Sequence, residues 1–421
     1  MKIKGKYAEA IIYNDEVEQE AISQIFNLLN QEFSKDSHVR IMPDVHAGAG
    51  CVIGYTAKLK DKIVPNLIGV DGSCGLLGYN LGKNLDYQFD RLDEFIKKNI
   101  PSGRNILPFF DKDEISKLYN FLNIKEYVKW KDYEVALRDL VNKTDQNIDY
   151  VLASIGTMGG GNHYIELGKS ELDENNWIIV HSGSRNFGLK VAKYHQRIAE
   201  KKINSRNLKK EIEKIKQTKK GKEIEEAIKK LYVSKSNIPH GLEYLEGEDT
   251  KEYFHDMRIV QIYARLNRLT MIYKIVGFYN KKFELKNLLE TLHNYIDFDN
   301  KIIRKGAVSA KKDELLFIPM NMSYGTLLCK GKGNEEYNFS APHGAGRAMS
   351  RSKARKNVSL NDFEKTMTDA KVWSSCVDES TLDESPQAYK DPNDIMKYLE
   401  PTVEIIYRIK SLYNFKDSSK S

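Results

Sequence analysis

Glycine-rich loops recur in three separated regions of the sequence, each beside short apolar runs of strand length. The densest is GTMGGGNHYIEL, with four glycines among the six positions Gly156–Gly161. Such a loop offers backbone N–H groups to an anion without side-chain obstruction. A set of tight turns with no ligand would need the same glycines. It is not a Walker A loop, because no GKS or GKT follows. The others are PDVHAGAG (43–50), DGSCG (71–75), HSGSR (181–185) and SAPHGAGR (340–347). Loops of this kind, far apart in sequence, predict a mixed α+β (α/β) body with central sheets, whose loops converge.

The coarse pattern fills in that body. Apolar spacing predicts a helix over 17–34. LIGV (67–70) and LLGYN (76–80) read as strands around DGSCG, and residues 86–150 as mostly helical. NHYIEL (162–167) and WIIV (177–180) read as strands, and strands return over 303–347. Residues 189–231 and 250–277 read as long helices, and LKNLLETLHNYI (285–296) as another. No linker or internal repeat divides the 421 residues, so one body over 1–421 is expected, with 189–280 a mostly helical insertion.

Composition excludes some classes. Hydrophobic residues are 41%, enough for a large core and against global disorder. No run approaches the ~20 apolar residues of a membrane span. The first residues carry no apolar run of signal-peptide length, so a cytoplasmic protein without membrane attachment is expected. The cysteines Cys51, Cys74, Cys329 and Cys376 show no paired spacing, so each is core, reactive thiol or metal ligand. Residues 201–230 hold twelve Lys/Arg against five Glu, a surplus of seven that equals the net charge of +7. That segment is either a solvated helical hairpin or a handle for a polyanion such as RNA.

Five of the nine histidines stand out: His46, His163, His181, His293 and His343. Each alone could be an ordinary core or surface histidine. His293 follows Leu289 by four and could sit on a buried helix face. Asp71 and Cys74 bracket a tight turn that can aim a carboxylate and a thiolate at one point. A thiolate with imidazoles selects Zn, Mn, Fe or Co over Mg or Ca. Arg185 and Arg347 fit phosphate in a bidentate manner, or form surface ion pairs. His343 lies between Pro342 and three small residues, which leaves room for something large at the imidazole. Residue chemistry alone reaches phosphate chemistry with a metal.

Taken together, PDVHAGAG, IGVDGSCGLLGY, GTMGGGNHYIEL, VHSGSRNFG, LHN, NFSAPHGAGRAMSRSKA and DESPQAYKD resemble the RtcB family of RNA ligases, from about residue 40 to 390. The resemblance implies joining of RNA 2′,3′-cyclic phosphate or 3′-phosphate ends to 5′-hydroxyl ends with GTP and two Mn²⁺ ions. It implies His343 as the nucleophile that takes GMP, with Asn162 and Asp44 in the catalytic set. It implies Asp71, Cys74, His163, His181 and His293 as metal ligands, with Cys74 bridging. Nucleotide contacts carry over to Asn162, His163, Tyr164, Ile165, Glu166, His293, Asn294, Pro319, Met320, Asn321, Met322, Thr326, His343, Gly344, Ala345, Gly346, Tyr389 and Lys416. Arg185 and Arg347 carry over as phosphate or RNA contacts, and Asp44 and His46 match the family's DVH motif. The chain departs from the family in having Gly72-Ser73 between Asp71 and Cys74, where an Ile-Gly pair is usual. The resemblance leaves the natural RNA and any activating protein partner open. The competing expectation is a metal-dependent phosphoesterase that opens cyclic phosphates without ligating.

Overall fold

Along 176–182, Trp177, Ile179 and His181 alternate with Ile178, Val180 and Ser182, and this two-residue period organises the molecule. The computed structural model describes residues 1–69, 71–231 and 238–418, with side chains described outside 206–211 and 228–231. In chain order it begins with β1 (Lys2–Lys4), β2 (Glu9–Ile12), α1 (Gln19–Leu29), β3 (Val39–His46), β4 (Ile53–Lys58) and β5 (Gly75–Gly82). Four helices follow: α2 (Phe89–Asn99), α3 (Lys112–Asn120), α4 (Trp130–Lys143) and α5 (Ile148–Ala153). Then come β6 (Tyr164–Ser170), β7 (Asn176–Ser182), α6 (Arg185–Thr218), α7 (Lys222–Leu231) and α8 (Glu248–Phe278). The rest is β8 (Leu288–Leu292), β9 (Asn294–Asp297), β10 (Ile302–Lys305), β11 (Ala307–Ser309), β12 (Leu315–Asn321), β13 (Gly325–Gly331) and β14 (Ser340–Pro342). Three short helices, α9 (Arg351–Asn357), α10 (Leu360–Asp369) and α11 (Pro392–Met396), precede β15 (Val403–Lys416).

One sheet has the order β1-β2-β3-β4-β10-β9 and another β12-β13-β15-β6-β7-β5-β8; β11 and β14 form a pair of their own. The seven-stranded sheet curls until its edge strands β12 and β8 approach each other. There the Phe317 N–H donates to Thr291 Oγ1 at 2.9 Å. Inside the curl, Leu76, Trp177, Ile179, Phe317, Leu328 and Ile409 form a small apolar core. Phe317 fits because Gly78 has no side chain: a Cβ there would meet the Phe317 ring.

The opposite face of that sheet presents Ile165, Leu167, Ile178 and Val180 to the main core. The helix α8 lies across β5 and β7 and buries 18 of its residues. Two of them are polar and reach the loops above. The Asn267 side chain accepts from the N–H groups of Gly156 and Thr157 at 2.8 and 3.1 Å, and donates to Ser182 Oγ and the Gly183 carbonyl. Arg268, fully buried, donates to the carbonyls of Ser73 and Ser182 at 2.7 and 2.8 Å. The helix therefore fixes the glycine-rich loop and the DGSC turn relative to one another.

Two sequence expectations fail. Residues 285–296 form a short 3₁₀ turn (Leu285–Asn287) and then β8 and β9, in place of a helix. The leucine spacing fits a helix, but the backbone groups of 288–292 are claimed by the free edge of β5, with Leu292 opposite Gly75 and Leu288 opposite Tyr79. Short apolar runs do not distinguish the two states by period alone. The expected strand LIGV is likewise absent: Pro65–Leu67 form a 3₁₀ turn, started by a proline that pre-sets the turn angle, and Val70 lies outside the described residues. Of the basic segment 201–230, the residues with described side chains beyond Ile203 are half-buried or exposed.

Candidate metal centre and adjoining cleft

The register of the curled sheet lines up a row of inward-facing residues. Thr291 on β8 lies opposite Leu76 on β5, Leu76 opposite His181 on β7, His181 opposite Tyr164 on β6, and Tyr164 opposite Lys416 on β15. The next row runs Leu289, Gly78, Ile179, Glu166, Asn414. Continuing each strand by two residues puts Cys74 before Leu76 and His293 after Thr291 on the same side. The two-residue period thus delivers a thiol, two imidazoles, a carboxylate and an ammonium group to one mouth.

Cys74 Sγ stands 3.2 Å from His181 Nε2 and 3.5 Å from His163 Nε2. His181 Nε2 is 3.3 Å from His293 Nε2, and His163 Nε2 is 2.9 Å from Asp71 Oδ2. The far nitrogens of two of these rings are engaged elsewhere. His163 Nδ1–H donates to the Met158 carbonyl at 2.9 Å and His181 Nδ1–H to the Asn162 carbonyl at 3.0 Å. Both Nε2 atoms therefore carry bare lone pairs, aimed at a thiol, a carboxylate and another imidazole. Acceptors facing acceptors in a buried site repel, and a cation among them removes the repulsion. The donor set fits a borderline transition metal. Burial, reinforced by neighbouring imidazoles, holds His181 and His293 well below their ordinary value, so both are neutral ligands. Burial pushes the Cys74 thiol well up, with Asp71 adding to it. Burial alone would raise Asp71 as well, but the His163 hydrogen bond and charge outweigh it and hold the carboxyl low.

The loops that carry these ligands are shaped for it. Ser73 adopts φ +60, a left-handed conformation that costs a non-glycine residue roughly 1 kcal/mol. Its N–H donates to the Asn294 carbonyl at 2.5 Å, and its carbonyl is held by Arg268. The Gly72-Ser73 turn thus keeps Asp71 and Cys74 on one side. Gly159 has φ +90, and a Cβ there would stand 2.7 Å from His163 Nδ1 and collide with the Arg185 guanidinium. Arg185 itself donates to Thr157 Oγ1 and the Gly103 carbonyl and does not line the adjoining cleft.

That cleft has a volume of about 290 Å³. The His343 ring sits at its edge, 5.1 Å from the His293 ring between centroids. Asp44, fully buried, accepts from the His343 N–H at 3.0 Å and from His343 Nδ1–H at 2.6 Å. That leaves His343 Nε2 with its lone pair. The Asp44 carbonyl accepts from His46 Nδ1–H at 2.9 Å, so one residue orients both rings. Gly346 has φ +70, and a Cβ there would come 3.0 Å from that same carbonyl.

Deeper in the cleft, Glu166 is 2% exposed and accepts from Thr326 Oγ1 at 2.9 Å. Burial pushes its carboxyl up to about 7, against the pull of Thr326, Ser411 and Lys416. Lys416 Nζ pairs with Glu384 Oε2 at 3.0 Å, and Tyr389 OH donates to the same oxygen at 2.6 Å. Arg347 and Arg351 both reach Glu384 Oε1.

Asn162, Tyr164, Glu166, His293, Asn294, Pro319–Met322, His343–Gly346, Arg347, Tyr389 and Lys416 all line the cleft, as does His46. Three expected nucleotide contacts do not line it. Ile165 points into the main core, because it lies between Tyr164 and Glu166 on a strand and must face the other way. His163 is turned to the Cys74–Asp71 side, and Thr326 reaches the cleft only through Glu166. Sequence reasoning missed Ile53, Arg351, Glu384 and Asn414, which also line it. Period-two spacing from Lys416 would have found Asn414.

The family model described as "tRNA-splicing ligase RtcB" matches residues 24–417. The chain belongs to the RtcB family. The RNA-splicing ligase RtcB of Escherichia coli (strain K12) is 29% identical over 415 residues, spanning 94% of each chain. The tRNA-splicing ligase RtcB of Nanoarchaeum equitans (strain Kin4-M) is 24% identical over 428 residues, spanning 86% of this chain and 83% of that one. The match to the RtcB family covers the metal centre, the cleft and the strand that ends at Lys416.

Proposed function

We propose that this protein is an RNA ligase that uses GTP and two Mn²⁺ ions to join an RNA 3′-phosphate or 2′,3′-cyclic phosphate end to a 5′-hydroxyl end. The observation that carries the reading is one imidazole, His343, held by a buried carboxylate beside a thiol-and-histidine metal centre and over a nucleotide-sized cleft. The names of the RtcB relatives support the RNA-joining part.

His343 Nε2 attacks the α-phosphorus of GTP, a P–N bond forms, and pyrophosphate leaves with the broken P–O bond. Asp44 keeps the proton on Nδ1 and balances the positive charge that the phosphorylated ring acquires. A 3′-phosphate oxygen of the RNA then takes GMP from the ring, and the 5′-hydroxyl displaces GMP to close the phosphodiester. A cyclic phosphate must first be opened by water to a 3′-phosphate. When bound, the Mn²⁺ ions supply positive charge to the phosphates. Asp71, Cys74, His163, His181 and His293 would hold them, with Cys74 between the two. Glu166 accepts from the guanine edge, Tyr389 packs on the base, and Arg347 faces phosphate. Nothing about location follows from the site; a cytoplasmic enzyme remains part of this reading.

The test is joining of a 2′,3′-cyclic-phosphate RNA to a 5′-hydroxyl RNA, with and without GTP. Joined product only with GTP is the expected result. Opening of the cyclic phosphate with no joining would instead assign a phosphoesterase, which has no need of GMP on His343.

Glu166 gives the reaction a pH signature. Its carboxyl titrates at about 7 in the free protein and is the acceptor only when ionised. GTP affinity should therefore rise with pH up to about 7 and level off above it, by as much as about tenfold per unit on the acid side. Titrating GTP binding between pH 5.5 and 8.5 reads this directly, and Glu166→Gln should flatten the profile at the weak end. A flat wild-type profile would remove Glu166 from base recognition.

A further inference from the structure

Asn414 lies two residues before Lys416 on β15, directly opposite Glu166 on β6. It is 2% exposed and lines the cleft. Its main-chain N–H is engaged, donating to the Trp373 carbonyl at 3.1 Å. Its side chain is not fully engaged: Asn414 Oδ1 is buried without a hydrogen-bond partner among the described residues. The orientation of the amide is fixed by chemistry. The Glu166 carboxylate, with which the amide interacts, can only accept, so Nδ2 belongs on that side and Oδ1 faces away from it. A buried acceptor left bare is costly, and a residue kept there only for packing would be better served by an apolar side chain.

The count of acceptors matches one purine. Guanine presents one carbonyl oxygen and three N–H bonds on its edge: one at N1 and two on the exocyclic amino group. Lys416 supplies a cation for the carbonyl. Glu166 Oε1 already accepts from Thr326, which leaves the carboxylate short of capacity for all three N–H bonds. Resting on the reading of the ligand as GTP, we infer that Asn414 is a specificity-determining residue whose Oδ1 accepts a hydrogen bond from the guanine 2-amino group. Glu166 then takes N1–H and the other amino hydrogen.

Inosine triphosphate tests this, because it keeps the carbonyl and N1–H and lacks only the 2-amino group. The readout is the rate of covalent labelling of the intact protein, as kcat/KM, with each nucleotide in Mn²⁺. The wild-type protein should prefer GTP over ITP by at least about tenfold. Asn414→Leu, of similar size, should shrink that preference by about tenfold, with the loss on the GTP side. Asn414→Ser, with a shorter oxygen, should do the same and guards against a leucine variant that does not fold. Equal use of GTP and ITP by the wild type, or an unchanged preference in either folded variant, overturns the assignment. Failure of both nucleotides to label the wild type would instead overturn the ligase reading and this inference with it.

Discussion

His343→Ala removes the covalent label that GTP and Mn²⁺ leave on the protein, and RNA joining falls by at least about a thousandfold. The expectation follows from geometry. Asp44 occupies Nδ1 of this ring at 2.6 Å, so the only free lone pair is on Nε2, at the edge of the cleft. His46 lines the same cleft and also has its Nδ1 engaged, by the Asp44 carbonyl, so it is the one nearby imidazole that could substitute. The measurement is acid-stable versus acid-labile label on the intact chain, since a phosphoramidate is lost in acid. Label persisting in the alanine variant would move the nucleophile to another residue. His343→Ala retains Asp71, Cys74 and the three ligand histidines, so it should bind metal as the wild type does. Loss of label together with normal metal content separates a missing nucleophile from a damaged centre.

Cys74→Ala is expected to weaken metal binding by at least about a hundredfold, measured by Mn²⁺ titration of the chelator-stripped protein without nucleotide. Cys74 Sγ is the point where two bare imidazole nitrogens meet, at 3.2 and 3.5 Å. Removing it leaves His163 with Asp71 on one side and His181 with His293 on the other, and nothing shared between them. Cys74→Ser keeps an oxygen donor but not a soft one, and should lie between alanine and wild type. Wild-type occupancy in the alanine variant would show that sulfur holds no ion. The fold should survive either change, because the DGSC turn is held through main-chain atoms by Arg268 and Asn294.

Much of this architecture can be read from local pattern. WIIV and NHYIEL are strands, and residues 250–277 lie within α8, because both carry periods long enough to be unambiguous. The stretch 285–296 fails for a definite reason: its leucines fit either period, and only the vacant edge of β5, distant in sequence, decides between them. The motifs brought His163, His181, His293, Asp71 and Cys74 to notice by resemblance. No pattern in the sequence shows that three of them hang from the mouth of one curled sheet. Ile165 went wrong because a contiguous motif was carried over whole, whereas a strand shows a ligand only every second residue. Asn414 and Glu384 were missed because their importance lies in what surrounds them. One has an acceptor with nothing to accept; the other gathers Lys416, Tyr389, Arg347 and Arg351 around one carboxylate.

The two rings that hang from residue 44 answer to different kinds of change. His343 is tied to the side chain and His46 to the main chain. Replacing Asp44 by another amino acid can therefore retune one ring while leaving its neighbour in place, whereas any drift of the loop drags both. Heritable variation at that codon reaches the nucleophile alone.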